Sequence, residues 1–386
     1  MALAPNPLKV LHICQRDDIA TGGAARVAIE YVKRLPAHEV DAHCLFLYGE
    51  PDSFQTELSD SLQDKSTQRA HYLGLQNSSD ILKMGRLRAF IQQFQPHILH
   101  HHDGLLWSHL LTFIHPGILK VVHAHLGASR PDSQISRSSL ASWVQQKSTD
   151  LLICITEDTR KSQIEWGGYK PEKTCVLYNG VDGDRFYPAS SENRLYARQQ
   201  FGLPNNVFVV GFVGRLHSAM KGTDDFLRVI SLLPTNFWGL VVGDGPDAQS
   251  LRELATTLGI ENRVIFTGVI EQTTTAYHSI DFFCLTSHWE PFGLVVAEAM
   301  ACQVPVIGFA CEGGVREILN PDTGYVLPKR DLKAMAAIIH EAVYSSEQQQ
   351  IHRSNAQSLL ERHHQWMHNS AKLAGLYQKL MAHTHT

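Results

Sequence analysis

The sequence has no apolar run approaching the roughly 18 residues of a membrane-spanning helix. Its first residues, M-A-L-A-P-N-P, lack the charged segment and long apolar core of a secretion signal. The chain is therefore expected to be neither secreted nor membrane-spanning. It also lacks C-x-x-C spacing: Cys14, Cys44, Cys154, Cys175, Cys284, Cys302 and Cys311 are scattered, odd in number and mostly set in apolar runs. That pattern reads as buried thiols in a reducing cytosol. No block of like charge appears, and 34 basic against 38 acidic residues give a net charge of −4, which argues against a general nucleic-acid binder. A G-x-G-x-x-G fingerprint is missing too. What remains is a globular composition, 44% hydrophobic over 386 residues, long enough for two or three domains.

One stretch organises the chain. From Asp281 to Gly308 it reads D-F-F-C-L-T-S-H-W-E-P-F-G-L-V-V-A-E-A-M-A-C-Q-V-P-V-I-G, a strand at Phe282–Leu285, a polar loop, a helix from about Gly293 to Cys302, and a strand at Val304–Ile307. Glu290 stands in the loop and Glu298 eight positions on, in the helix, so they serve different parts of one ligand. Pro291 follows the first acid, and Phe292, Gly293, Leu294 and Val295 lead into the helix N-terminus, where unpaired amides and the helix dipole favour an anion such as phosphate. Carboxylates accept hydrogen bonds from sugar and ribose hydroxyls. A phosphate site with an acid on each side describes a sugar nucleotide.

Upstream, the strand Leu8–Cys14 leads through Gly22 and Gly23 into an amphipathic helix bearing Ala24, Val27, Ala28, Tyr31, Val32 and Leu35 on one face. The glycines either make the turn or let a ligand approach the backbone. Strands are expected at Val40–Leu47, His97–His100, Lys120–His123, Leu151–Ile155 and Cys175–Leu177, and residues 51–80 read as loop or short helices. Alternation with helical stretches means parallel sheets covered by helices. Lys83, Arg86 and Arg88 beside Ile81, Leu82, Leu87 and Phe90 form a basic amphipathic helix, either a solvated face or a contact with an anionic membrane surface. His100, His101 and His102, and Asp17 with Asp18, invite a metal, but consecutive strand residues point to opposite sides, and no metal is expected there. His123 and His125, two apart at a strand end, face the same way. A second strand–loop–helix series opens at Phe208–Val213, with Gly214 ending the strand, Arg215 and Lys221 in the loop, and Thr223 or Asp224 capping a helix. Two cations above a helix start suit a diphosphate.

Glu290 and Glu298, with E-P-F-G, E-A-M-A and V-P-V-I-G, resemble the E-x7-E signature of family 4 glycosyltransferases. The resemblance implies a GT-B architecture: two doubly wound Rossmann-like α/β domains facing across a cleft, here 1–186 on the acceptor side and 187–363 for the nucleotide sugar, with 364–386 as a helix packing back on the first domain. L-Y-N-G-V-D-G-D-R-F resembles the family's passage between domains, so the D-x-D of Asp182 and Asp184 is read as chance. By the same resemblance Glu298 holds the ribose and Glu290 faces the donor sugar. Arg215 and Lys221 grip the pyrophosphate, Gly268, Val269 and Ile270 border the nucleobase, and the Gly22–Gly23 loop faces donor and acceptor. His125, or else His123, meets the donor sugar. The implied activity is retaining, metal-independent transfer of a hexose from a nucleoside-diphosphate sugar, UDP-linked in preference to GDP- or ADP-linked, with no cofactor. The implied acceptor is a glycan, glycolipid or small-molecule hydroxyl in cytoplasmic polysaccharide or glycoconjugate synthesis. A catalytically silent sugar-nucleotide-binding partner and a GT-B epimerase or phosphorylase are the alternatives.

Overall fold

The computed structural model describes residues 7–16, 23–49, 69–75, 84–102, 115, 117–128 and 139–384. The chain divides into two compact units, Met1–Asn179 with Trp366–Thr386, and Gly180–Gln365. Each is built on one parallel sheet.

In the first unit β1 (Leu8–Cys14), β2 (Val40–Tyr48), β3 (Ala70–Leu75), β4 (Ile98–His101), β5 (Leu119–Ala124), β6 (Leu151–Cys154) and β7 (Thr174–Val176) lie in the order β3-β2-β1-β4-β5-β6-β7. Helices α1 (Gly23–Arg34), α2 (Met84–Phe94), α3 (Ser139–Ser148) and α4 (Glu157–Glu165) fall between them in sequence. Strand order reverses between β1 and β4, which opens a crevice at their carboxyl ends. The apolar side of α1, Val27, Ala28, Tyr31 and Val32, is buried against β1 and β2. On α2, Leu87 and Ile91 join the core with Leu73 and Leu99, leaving Arg86 and Arg88 exposed; Ile81, Leu82 and Lys83 lie outside the described residues. The apolar face of this helix is thus spent on the core. Of the stretch 51–80, read as loop or short helices, strand β3 corrects Ala70–Leu75, while 51–68 and 76–80 lie outside the described residues. Among the described residues β3 pairs only with β2, its register shifts between Phe46 and Tyr48, and it contains Gly74 at φ +68°, so the alternation that marks a strand is interrupted.

The second unit holds β8 (Phe208–Val213), β9 (Phe237–Val242), β10 (Val264–Gly268), β11 (Phe282–Leu285), β12 (Val306–Phe309) and β13 (Tyr325–Leu327) in the order β10-β9-β8-β11-β12-β13, with the reversal between β8 and β11. Its helices are α5 (Ser191–Gln200), α6 (Ser218–Lys221), α7 (Thr223–Leu232), α8 (Ala248–Thr257), α9 (Thr273–Ser279), α10 (Leu294–Ala301), α11 (Leu332–Ala342) and α12 (Ser346–His363). Phe226, Ile230, Phe237, Val241, Phe282 and Ile307 lie in its core. In the polar tail α12 ends at His363, and a separate helix, α13 (Trp366–Thr384), belongs to the first unit, where Trp366, Leu373, Ala374 and Tyr377 are buried beside Tyr31 and Leu35. Among the described residues no helix is long and apolar enough to cross a membrane.

A buried arginine fastens the switch point from below. Arg198 on α5 is 5% exposed and donates to the carbonyls of Ser279, Pro204, Asn205 and Val207 and, at 2.8 Å, to Asp281 Oδ2. The same carboxylate oxygen accepts the Val209 amide at 2.8 Å, tying the starts of β8 and β11 together. Arg198→Met strips these acceptors of their donor and is expected to lower unfolding free energy by about 3–5 kcal/mol. The partly exposed Arg194→Met should cost about 1 kcal/mol or less, with denaturant unfolding as the comparison.

Candidate functional site

The second unit brings its sequence-predicted residues together at the carboxyl ends of β8 and β11. After β8, Arg215 is exposed in the loop. Lys221 is not in the loop: it ends the single turn α6, and Gly222 separates it from α7. Neither Thr223 nor Asp224 caps α7; Gly222 takes that place, at φ +61°, without a side-chain bond. A Cβ on Gly222 would stand 2.1 Å from the Thr286 carbonyl oxygen, so only glycine lets the β8 loop lie this close to the β11 loop. Thr286 Oγ1 donates to the Lys221 carbonyl at 3.1 Å, the His288 amide to Met220 at 2.9 Å, and Arg330 Nη2 to the Thr286 carbonyl at 2.7 Å.

This stitching places Lys221 Nζ 2.7 Å from Glu290 Oε2. Glu290 is 7% exposed, and its Oε2 also accepts from Ser287 Oγ at 3.3 Å. A buried carboxylate needs such partners, because desolvation without them costs several kcal/mol. The backbone of Glu290 is held by the C-E-G-G turn. Its amide donates to Glu312 and its carbonyl accepts from Val315, and a Cβ on Gly313, at φ +109°, would meet that carbonyl at 2.2 Å. Phe292 is buried edge-on to His364 at 5.5 Å between ring centres.

Gly293 heads α10 at φ +84°. The amides of Leu294 and Val295 then open the helix, where no carbonyl of the preceding turn can reach them. Glu298, 2% exposed on α10, receives a hydrogen bond from the buried Tyr277 hydroxyl at 2.8 Å. Tyr277, on α9, escaped the sequence reading because an apolar-flanked tyrosine gives no sign of a partner 21 residues away. Gly268 ends β10 with its carbonyl accepting from the Gly243 amide at 2.8 Å; Val269 is 69% exposed and Ile270 half-buried. The G-D-G-P turn after β9 braces the β8 loop: Asp247 Oδ2 accepts the Ser218 amide at 2.6 Å, and the Leu216 amide donates to Asp244. The Ser218 amide holds the Asp247 carboxyl below the usual carboxylate range.

In the first unit Gly23 opens α1 and Gly22 lies outside the described residues, as do Asp17 and Asp18. His125 follows β5, with Nε2 3.0 Å from His102 Nδ1. It does not stand alone. His12 on β1 pairs in register with His100 on β4, and alternation places His102, His123 and His125 on the same side, with His101 opposite. Their rings lie 4.5–5.3 Å apart between centres, stacked except for the tilted pair His12–His100. Burial keeps these imidazoles neutral: His12 is pushed down to about 3, and His100, His102 and His123 well below the ordinary histidine value. Read one strand at a time, the sequence hides this column, because lateral pairing assembles it.

Two Rossmann-like units, each with one reversal of strand order, define a GT-B class of fold, and the second gathers a lysine, two buried acids and a helix N-terminus near its switch point. Residues 21–185 match the model of Glycosyltransferase Family 4 and residues 193–359 that of Glycosyl transferases group 1; the chain belongs to this family. It is 33% identical over 198 residues to D-inositol 3-phosphate glycosyltransferase of Mycobacterium marinum, covering 49% of this chain and 41% of that one. To the Mycolicibacterium smegmatis enzyme of the same name it is 30% identical over 241 residues, covering 60% and 54%. The chain thus spans about half the length of the curated relatives it matches. Among solved structures, Anabaena HepE in complex with UDP-glucose superposes with TM-score 0.82 at 23% identity, covering 96% and 100% of the two chains. Sucrose-phosphate synthase of Thermosynechococcus elongatus gives 0.78 at 20%, covering 97% and 99%. These likenesses establish the fold.

The Lys221–Glu290 contact sets a measurable coupling. Lys221→Met and Glu290→Gln should each destabilise the second unit, and the double variant should recover about 1–3 kcal/mol relative to their sum, read by denaturant unfolding.

Proposed function

We propose that the protein is a retaining glycosyltransferase that moves a hexose from a nucleoside-diphosphate sugar, UDP-linked in preference to GDP- or ADP-linked, to an acceptor hydroxyl. The observation that carries this reading is the contact of Lys221 with Glu290 between the segments that follow β8 and β11, with the amides of Leu294 and Val295 and the carboxylate of Glu298 following on α10. Glu298, steadied by Tyr277, accepts the ribose hydroxyls. Lys221, Arg215 and the α10 amides take the diphosphate. Glu290 faces the sugar hydroxyls, the backbone at Gly268, Val269 and Ile270 borders the base, and His125 is assigned to the donor sugar by the family resemblance. UDP-glucose in Anabaena HepE and the inositol phosphate acceptor in the names of the mycobacterial relatives support a UDP-sugar donor and a hydroxyl-rich acceptor.

In the reaction the bond between the anomeric carbon and the diphosphate oxygen breaks, and the acceptor oxygen bonds to the same face of that carbon. The acceptor proton passes to the departing phosphate oxygen. Charge accumulating on the diphosphate is met by Lys221, Arg215 and the helix amides, which is electrostatic stabilisation by groups already in place. These fixed positive groups supply the counter-charge, so the transfer runs without a divalent ion. Glu290 positions the sugar and is not a nucleophile. The acceptor belongs to polysaccharide, glycolipid or other glycoconjugate synthesis on the cytoplasmic side.

A thermal-shift screen in chelator against UDP, GDP, ADP and their sugar conjugates tests the donor class: uridine nucleotides should raise the melting temperature by mass action. Glu298→Ala should weaken that shift about tenfold in apparent affinity, and Lys221→Ala should lower turnover by about 10–1000-fold. Unchanged titrations and kinetics in both variants would remove the assignment; donor hydrolysis without transfer to any acceptor would favour a silent partner.

A further inference from the structure

The histidine column of the first unit is not explained by sugar transfer, which calls on one of its members. His12, His100 and His102 are buried, and each offers a nitrogen within 4.8 Å of the others. Their outward nitrogens are held from behind. Tyr377 on α13 places its hydroxyl 2.5 Å from His100 Nδ1 and 3.4 Å from His12 Nε2, and His125 Nε2 stands 3.0 Å from His102 Nδ1. That leaves Nδ1 of His12 and Nε2 of His102, which share a hydrogen bond at 2.9 Å, and Nε2 of His100, buried with no hydrogen-bond partner among the described residues. A buried imidazole nitrogen without a partner costs about 1–3 kcal/mol. Such an arrangement, with one nitrogen turned inward and the other fixed by an outer hydrogen bond, is how proteins orient histidines on a metal.

We propose that His12, His100 and His102 form a site for one divalent transition-metal ion of the zinc class. Three neutral imidazoles at about 2.0–2.1 Å suit Zn2+ or Co2+ and do not suit the oxygen-seeking Mg2+ or Ca2+. The ion takes the place of the His12–His102 hydrogen bond and gives His100 Nε2 a partner, and it joins β1 to β4 directly and to α13 through Tyr377. Its role is structural: the site is buried, and the ion fastens the last helix to the sheet of the first unit. A second trio, His102, His123 and His125, lies at the strand ends. It lacks that outer support: among the described residues both His123 nitrogens are buried without hydrogen-bond partners. The proposal concerns metal binding alone and stands whether or not the chain transfers sugar.

The test uses the full chain, stripped with a chelator and titrated with Co2+ and Zn2+, following visible absorption, calorimetric stoichiometry and melting temperature. One equivalent should bind with a tetrahedral cobalt spectrum and raise the melting temperature. His12→Gln and His100→Gln should lose that equivalent. Tyr377→Phe, which keeps the ring and removes only the hydroxyl, should bind about 10–100-fold more weakly, and His123→Gln should bind as the parent does. Circular dichroism of each stripped variant separates loss of the site from loss of the fold. The proposal fails if the parent takes up no tight equivalent. It fails equally if His123→Gln abolishes binding while His12→Gln spares it, or if a folded Tyr377→Phe binds like the parent.

Discussion

The contact between the Lys221 ammonium and the Glu290 carboxylate, 2.7 Å apart, binds two loops that the sheet topology alone would leave side by side. One loop leaves β8 and the other leaves β11, the pair of strands at which the order of the second sheet reverses. Without the cation, Glu290 would be a buried carboxylate with one hydroxyl partner. Without the acid, Lys221 would have no reason to bend toward the strand ends. The glycine between α6 and α7 and the glycine pair after β12 exist in service of this contact, since any side chain at Gly222 or Gly313 would overlap the carbonyl of Thr286 or Glu290. The charge pair also keeps a lysine in place for an incoming diphosphate, which can take over the ammonium while sugar hydroxyls take over the carboxylate.

Much of the second unit is legible in the chain. The strands Phe208–Val213 and Phe282–Leu285 are short apolar runs ended by polar loops, and both appear with the bounds their composition suggests. Glu290, Gly293 and Glu298 could be placed on loop, helix start and helix because the spacing between them is local. Harder to read were groups whose partners come from elsewhere in sequence. Tyr277 supports Glu298, Arg198 ties Asp281 to α5, and Asp247 props the Ser218 amide, all through pairings that no window of neighbouring residues displays. Strand β3 was missed because an edge strand with an internal glycine and a register shift loses the period-2 pattern.

Histidine distribution makes the same point from the other direction. Adjacent histidines at 100–102 were set aside as metal ligands because neighbours on a strand diverge, and His101 does point away from His100 and His102. The step that sequence could not supply was the register of β1, β4 and β5, which sets His12 and His123 beside them. Side-by-side alignment in a parallel sheet turns three scattered motifs into one buried column.

The most direct measurement is amide hydrogen–deuterium exchange of the full chain with and without UDP in the presence of a chelator. Ligand held as described should slow exchange together at the loop and turn 215–222, at 268–270 and at the start of α10, with the first-unit strands β2 and β3 unaffected. Protection confined to the first unit, or uniform protection with no change at Leu294 and Val295, would contradict the placement of the nucleotide at the β8–β11 switch point.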